Sequence, residues 1–130
     1  MTPLIVDTNV ISYLMLDRPL AEPYRPILQG NALGISFMTV AELYQGAFKD
    51  RWGPRRLADL ARDIEDYFVL ESSPELCLWW ADVRFQRCQQ PISAEDAWIA
   101  ATALAYDCPL VTHNPRDFAG IRGLEIITAA

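Results

Sequence analysis

Apolar residues in this chain recur with two periods, and the alternation between them lays out strands and helices in turn. Leu4-Ile5-Val6 is a short uninterrupted apolar run ending on Asp7, the pattern of a parallel strand buried on both faces. Val10, Ile11, Leu14 and Met15 then recur at helical spacing until Asp17-Arg18-Pro19 breaks the pattern. A second, short helix over 20–28 is interrupted by Pro23 and Pro26 and is expected to be irregular, with Gln29-Gly30-Asn31 closing it. Leu33 to Met38 reads as the second strand. This strand–helix–strand rhythm predicts a parallel sheet.

Thr39-Val40-Ala41-Glu42 has the spacing of a capping box and predicts a helix running towards Lys49. From Pro54 to Tyr67, Leu57, Leu60, Ala61 and Ile64 share one side of a further helix. Arg51, Arg55, Arg56 and Arg62 lie near or on its outer face and read as a solvated or partner surface, with only Trp52 as an interleaved aromatic. Tyr67 to Leu70 predicts a short third strand, and Ser72-Ser73-Pro74-Glu75 starts a helix over 76–89. Trp79, Trp80, Val83 and Phe85 put apolar groups on several sides of it, either for the core or for a subunit contact. Ser93-Ala94-Glu95-Asp96 is a second cap, opening a helix over 97–105 that is apolar almost all round. Pro109 to Thr112 predicts the fourth strand, and Leu124 to Ile127 a last, edge-type one.

Composition narrows the picture in three ways. With 130 residues, half of them apolar, the chain is expected to be a single domain over 1–130 with a real core and no need of disulfides. The net charge of −6 argues against a protein that coats nucleic acid non-specifically. It leaves room for a nuclease, because metal-binding acids would themselves supply several of those charges. The basic residues are ten Arg and one Lys, a bias that suits phosphate or carboxylate recognition.

Cys77, Cys88 and Cys108 are an odd number with no close pair, and on one helix the first two would stand about 16 Å apart. They read as reduced, buried small hydrophobes of a reducing compartment. No apolar run reaches membrane-spanning length and Asp7 interrupts any signal segment. A cytoplasmic protein with no membrane partner is expected.

Four acids share one description. Asp7 ends the first strand, Glu42 follows the second, Asp117 follows the fourth, and Asp96 begins the buried helix feeding the fourth. Carboxyl ends of parallel strands lie on one edge of the sheet, where ligands collect. Asp96 joins the others only if Gln90-Pro91-Ile92-Ser93 returns the chain to that edge. Each acid alone could be a helix cap. Several at one edge repel unless a cation sits between them, and Mg²⁺ or Mn²⁺ suits an all-oxygen site that also takes phosphate. Zinc does not suit a chain with one His and no thiol cluster. His113 is a candidate general base.

The stretches LIVDTNVIS (4–12), SFMTVAELYQGA (36–47), EDAWIAATAL (95–104) and VTHNPRDFAGI (111–121), followed by GLEII (123–127), carry a resemblance. In this order they look like the PIN-domain ribonucleases, specifically the VapC-type toxins of toxin–antitoxin pairs. The resemblance implies an α/β fold, a three-layer α/β/α sandwich around a short, mostly parallel sheet. It implies that Asp7, Glu42, Asp96 and Asp117 meet in one pocket, with Asp7 and Asp96 as the most direct metal ligands. Thr8, Asn9, Thr112 and Asn114 match polar neighbours that position water, metal or phosphate. His113 stands where similar proteins often carry a basic residue.

A metal-dependent endoribonuclease is implied, cutting single-stranded or looped RNA to leave a 5′-phosphate and a 3′-hydroxyl. A homodimer and a cognate antitoxin come with it. Three other readings compete. A response-regulator receiver needs an acceptor Asp after strand three, where this chain has Leu70-Glu71, and a lysine near strand five, whereas the single lysine is Lys49. A haloacid-dehalogenase-type phosphatase needs D-x-D after strand one, where Asp7-Thr8-Asn9 stands. A catalytically idle PIN domain used as a binding module would have no reason to keep mutually repelling carboxylates.

Overall fold

The computed structural model describes residues 3–130. Its strands are β1 (Leu4–Val6), β2 (Leu33–Ser36), β3 (Phe68–Leu70), β4 (Leu110–Val111) and β5 (Ile126–Ile127). They form one sheet in the order β3-β2-β1-β4-β5, parallel at every pairing. Alternate residues of a strand face opposite sides, so β1 feeds two cores. Leu4 and Val6 pack with Val10, Ile11, Tyr24, Ile35, Leu60 and Val111 on one face, while Ile5 joins Val83, Ile92, Ile99, Leu110 and Phe118 on the other. Burying one such aliphatic side chain is worth roughly 1.5–3 kcal/mol. The apolar run before Asp7 is therefore continuous because both of its faces are covered.

Helices make the outer layers. One face carries α1 (Thr8–Met15), α2 (Arg25–Leu28), α3 (Phe37–Lys49) and α4 (Pro54–Ile64); the other carries α5 (Pro74–Gln86) and α6 (Ala94–Ala105). The result is the expected three-layer α/β/α sandwich. From β1 the chain builds outward through β2 to β3, then crosses back to β4 and β5 on the other side of β1. The strand order thus reverses between β1 and β4, and the crevice at their carboxyl ends is where an open parallel sheet takes ligands.

Several boundaries differ from the sequence reading, for identifiable reasons. The proline-interrupted segment is irregular as expected, a 3-10 stretch at Pro19–Tyr24 leading into the four-residue α2. β2 stops at Ser36 and α3 begins at once, with Ser36 Oγ accepting the Met38 N–H at 3.0 Å. Ser36, not Thr39, is the cap. Thr39 is the third residue of α3 and Glu42 lies in its second turn, so Glu42 is free of any capping duty. The cysteine expectation is also corrected: Cys77 and Cys88 are exposed and Cys108 is partly so. The buried stripe of α5 runs through Leu76 and Val83, which turns Cys77 away from the core, and Cys88 lies beyond the helix end. Among the described residues, no helix is long and apolar enough to cross a membrane.

The return of the chain to the carboxyl edge, on which the placing of Asp96 depended, has a physical cause. Trp80, Arg84 and Arg87 project from one side of α5 and its C-cap at helical spacing. They donate to the carbonyls of Ala94 (3.1 Å), Ile92 (2.9 Å) and Gln90 (2.7 Å) respectively. The pairing runs antiparallel, so residues 91–93, between the bend at Gln90 and the start of α6, are drawn back along α5. Helix α6 then starts beside the middle of α5, near the edge at which β1 and β4 end.

Candidate active site

The first carboxylate is placed by the stiffest part of the fold. Asp7 follows β1, its N–H donates to Val111 O (2.8 Å), and it is only 5 % exposed. Its Oδ1 accepts the Thr8 N–H at 2.7 Å, capping α1, and its Oδ2 accepts the Thr112 hydroxyl at 2.7 Å. That hydroxyl oxygen in turn accepts the Asn114 N–H (3.0 Å). Asp7 is therefore fixed by the residues following β1 and β4 at once. Capping and orientation are one act here: the cap holds the carboxylate and leaves its face turned to the crevice.

The remaining acids come to the same cleft. Asp7, Thr8, Asn9, Glu42, Gln45, Ser93, Glu95, Asp96, Asn114 and Asp117 line a hollow of about 380 Å³. Glu42 is held from across the cleft: the Thr8 hydroxyl donates to its Oε1 at 2.8 Å, and Thr39 Oγ1 lies 3.0 Å from the same hydroxyl oxygen. Asp96 is the third residue of α6, whose cap Ser93 accepts the Asp96 N–H at 3.0 Å. Asp117 sits in the short 3-10 turn Pro115–Phe118 after β4 and is exposed. All four predicted acids, with Thr8, Asn9 and Asn114, share this cleft, and Thr112 stands directly behind Asp7.

The carboxylates feel one another. Burial raises Asp7 above the usual carboxylate range, the bonds from Thr112 and Thr8 oppose this, and the charge of Asp117 adds to it. Burial also raises Glu42, with the Thr8 bond opposing it and the charges of Asp7 and Glu95 adding. Asp96 moves furthest, to about 6, through burial and then the charges of Asp7 and Asp117. Among the described residues, no Lys, Arg or His lines the cleft. Carboxylates brought this close repel one another, and a cation among them would relieve that repulsion. Among the described residues no three His, Cys, Asp or Glu side chains form a ready-made ion cage. Mg²⁺ needs none, since it keeps several waters and takes one or two carboxylates together with substrate phosphate. The donor set of carboxylate, hydroxyl and amide oxygens fits Mg²⁺ or Mn²⁺ on chemical grounds.

His113 does not line the cleft. Its Nδ1 is 2.6 Å from the Tyr24 hydroxyl, and Tyr13 and Tyr24 meet its ring edge-on, with centroids 5.5 and 5.7 Å away. It braces the turn after β4. Three cleft or supporting residues escaped the sequence reading: Glu95, Gln45 and the fully buried Thr39. Gln45 stands one helical turn beyond Glu42, a spacing visible once α3 is known to run past it. Glu95 stands beside Asp96 and carries no separate signal in the sequence, and Thr39 has the spacing of a cap that Ser36 makes instead.

The PIN domain family profile matches residues 4–124. Ribonuclease VapC1 of Haemophilus influenzae (strain R2866) is 35% identical over 126 residues, covering 93% of each chain. A tRNA(fMet)-specific endonuclease VapC of Shigella flexneri is 27% identical, covering 96% of each. Among solved structures, VapBC-1 from nontypeable Haemophilus influenzae superposes with a TM-score of 0.81 at 33% identity and 98% coverage of both chains. VapBC2 from Rickettsia felis, solved with a promoter DNA fragment, superposes at 0.83 with 22% identity, a likeness of fold.

Proposed function

We propose that this chain, which belongs to the PIN-domain family and within it to the VapC ribonucleases, is a divalent-metal-dependent endoribonuclease and the toxin of a toxin–antitoxin pair. One observation carries the reading: Asp7, Glu42, Asp96 and Asp117 line one cleft in which, among the described residues, no basic side chain stands. A bound Mg²⁺ or Mn²⁺ would lower the pKa of water there and neutralise charge on the scissile phosphate. Asp7 and Asp96 would hold it. Asp7 suits this because its two bonds fix the carboxylate before any ion arrives, and a preorganised ligand loses little on binding.

Either Glu42 or Asp117 receives the proton of the attacking water. Attack at phosphorus would break the P–O3′ bond, the departing O3′ taking a proton from solvent water, and would leave a 5′-phosphate and a 3′-hydroxyl. Asn9 and Asn114 offer amides to phosphate oxygens at the rim, and Thr8 steers Glu42. An open, polar hollow of about 380 Å³ admits an exposed phosphodiester, which favours single-stranded or looped RNA. The whole of 1–130 is read as one PIN domain working in the cytoplasm. Its partners are a cognate antitoxin, whose basic residue would answer the acidic cleft, and a second copy of the chain. Exposed Leu78 and Phe85 on α5 give that second copy an apolar surface.

The test is cleavage of labelled RNA by the purified protein in Mg²⁺ or Mn²⁺, in EDTA, and with Asp7→Asn. Cleavage is expected only in the first condition. Activity that survives both chelation and the substitution would sink the mechanism.

A further inference from the structure

We infer that Arg87 is a positioning residue of the acid cleft, a buried guanidinium that fastens together the two chain segments bringing Asp96 and Asp117 to Asp7. Arg87 is 7 % exposed, at the C-cap of α5. A charge so placed is costly unless it is thoroughly hydrogen-bonded. Among the described residues the ion pairs are Arg25 with Asp17 and Glu22, and Arg62 with Asp59. Arg87 has main-chain carbonyls instead. Its Nε donates to Gln90 O at 2.7 Å, and its Nη1 donates to Asp117 O at 3.1 Å and Ala119 O at 3.0 Å.

These carbonyls belong to different parts of the chain. Gln90 opens the return that ends at the Ser93 cap and Asp96. Asp117 is itself a cleft acid, and Ala119 closes the 3-10 turn that carries it. One planar fork thus sets the distance between the two segments, because the directions of its N–H groups are fixed relative to one another. It also answers a difficulty of the site. Asp117 is exposed on a four-residue turn, and like charges in the cleft push it outward. Holding its own carbonyl from behind resists that push without placing a cation among the carboxylates, where it would compete with metal. Lysine could not do this, since an ammonium is a point charge on a flexible stem and lacks the spread of the guanidinium.

This inference rests on the metal-site reading above, and its test separates the two. Mn²⁺ binding is measured without RNA, by loss of the free-ion paramagnetic resonance signal, well below each variant's Tm. The set is the parent, Asp7→Asn, Arg87→Lys, Arg87→Met, and Leu60→Ala in the core on the opposite face of the sheet. The parent is expected to bind and Asp7→Asn to bind far more weakly. Both Arg87 variants are expected to weaken binding about ten- to a hundredfold, the range for groups that orient metal ligands. Amide exchange in 90–96 and 115–119 should quicken while β1 and β2 stay protected.

Leu60→Ala is expected to lower Tm and leave Mn²⁺ affinity unchanged. Arg87→Lys, which keeps charge and length, serves if Arg87→Met does not fold. Parent-like Mn²⁺ affinity in Arg87→Lys, or an equal loss in Leu60→Ala, overturns the inference while leaving the metal site intact. A parent that binds no Mn²⁺ overturns the metal site, and this inference with it.

Discussion

At the scale of single residues, the cleft is held in a strained electrostatic state that pH can relieve. Asp96 is lifted from 3.8 to about 6, chiefly by burial and by Asp7 and Asp117. Without a cation, the folded protein therefore holds this proton where the unfolded chain has released it. Stability from this group is full below about pH 4 and is lost as pH rises through about 6. Asp96→Asn removes the effect. In EDTA the variant should melt about 3–5 °C above the parent at pH 7.5, for roughly 1 kcal/mol after solvent screening. At pH 4 the two should coincide. Thermal unfolding at both values checks this, and equal melting at pH 7.5 would mean Asp96 is not under this pressure. Thr112 gives a second residue-scale outcome. It is fully buried between Asp7 Oδ2 and the Asn114 N–H, so Thr112→Val orphans both. A loss of about 1–3 kcal/mol in denaturant unfolding is expected, with Thr112→Ser close to the parent.

At the scale of elements, the lesson lies in where strand becomes helix. Asp7 and Asp96 were legible because each stands at a junction that the apolar pattern announces: Asp7 breaks the first run and Asp96 opens the last long one. The start of α3 was not legible, because Phe37 and Met38 carry the apolar character of Leu33 and Ile35 past it and a short, mainly apolar run does not reveal its own period. Ser36 is the last residue of β2, and it is at once wholly buried and the cap of the helix. Ser36→Ala should cost about 1 kcal/mol and quicken amide exchange at Met38, whereas Thr39→Val, which removes the hydroxyl and keeps the shape, should leave the Met38 amide protected. First-turn exchange in α3 that Thr39→Val quickens and Ser36→Ala does not would restore the Thr39 cap. Arg87 was invisible for another reason. Its partners are carbonyls, which every residue has, so nothing in the side-chain pattern signals where it will bind. The return of residues 91–93 to the carboxyl edge stayed out of reach of periodicity for the same cause.

At the scale of the whole molecule, the outer surface of α5 is the feature that the isolated chain leaves unexplained. Its inner stripe, Leu76 and Val83, is buried, yet Leu78 and Phe85, seven residues apart and so on one opposite face, are 74% and 75% exposed. A helix apolar on two sides has two layers to meet. The sheet takes one, and a second copy of the chain is the proposed occupant of the other. Phe85→Asp tests this cleanly. The side chain is outside the core, so the folding stability of a single chain should change by less than about 0.5 kcal/mol. A charge set against an apolar partner must instead be desolvated, which a homodimer interface tolerates poorly. Sedimentation equilibrium should show a dimer for the parent and a monomer for Phe85→Asp at the same concentration, with far-ultraviolet circular dichroism unchanged. Phe48, exposed on α3 in the opposite helical layer, supplies the control: Phe48→Asp should remain dimeric. If both variants stay dimeric, the outer face of α5 is not where two chains meet.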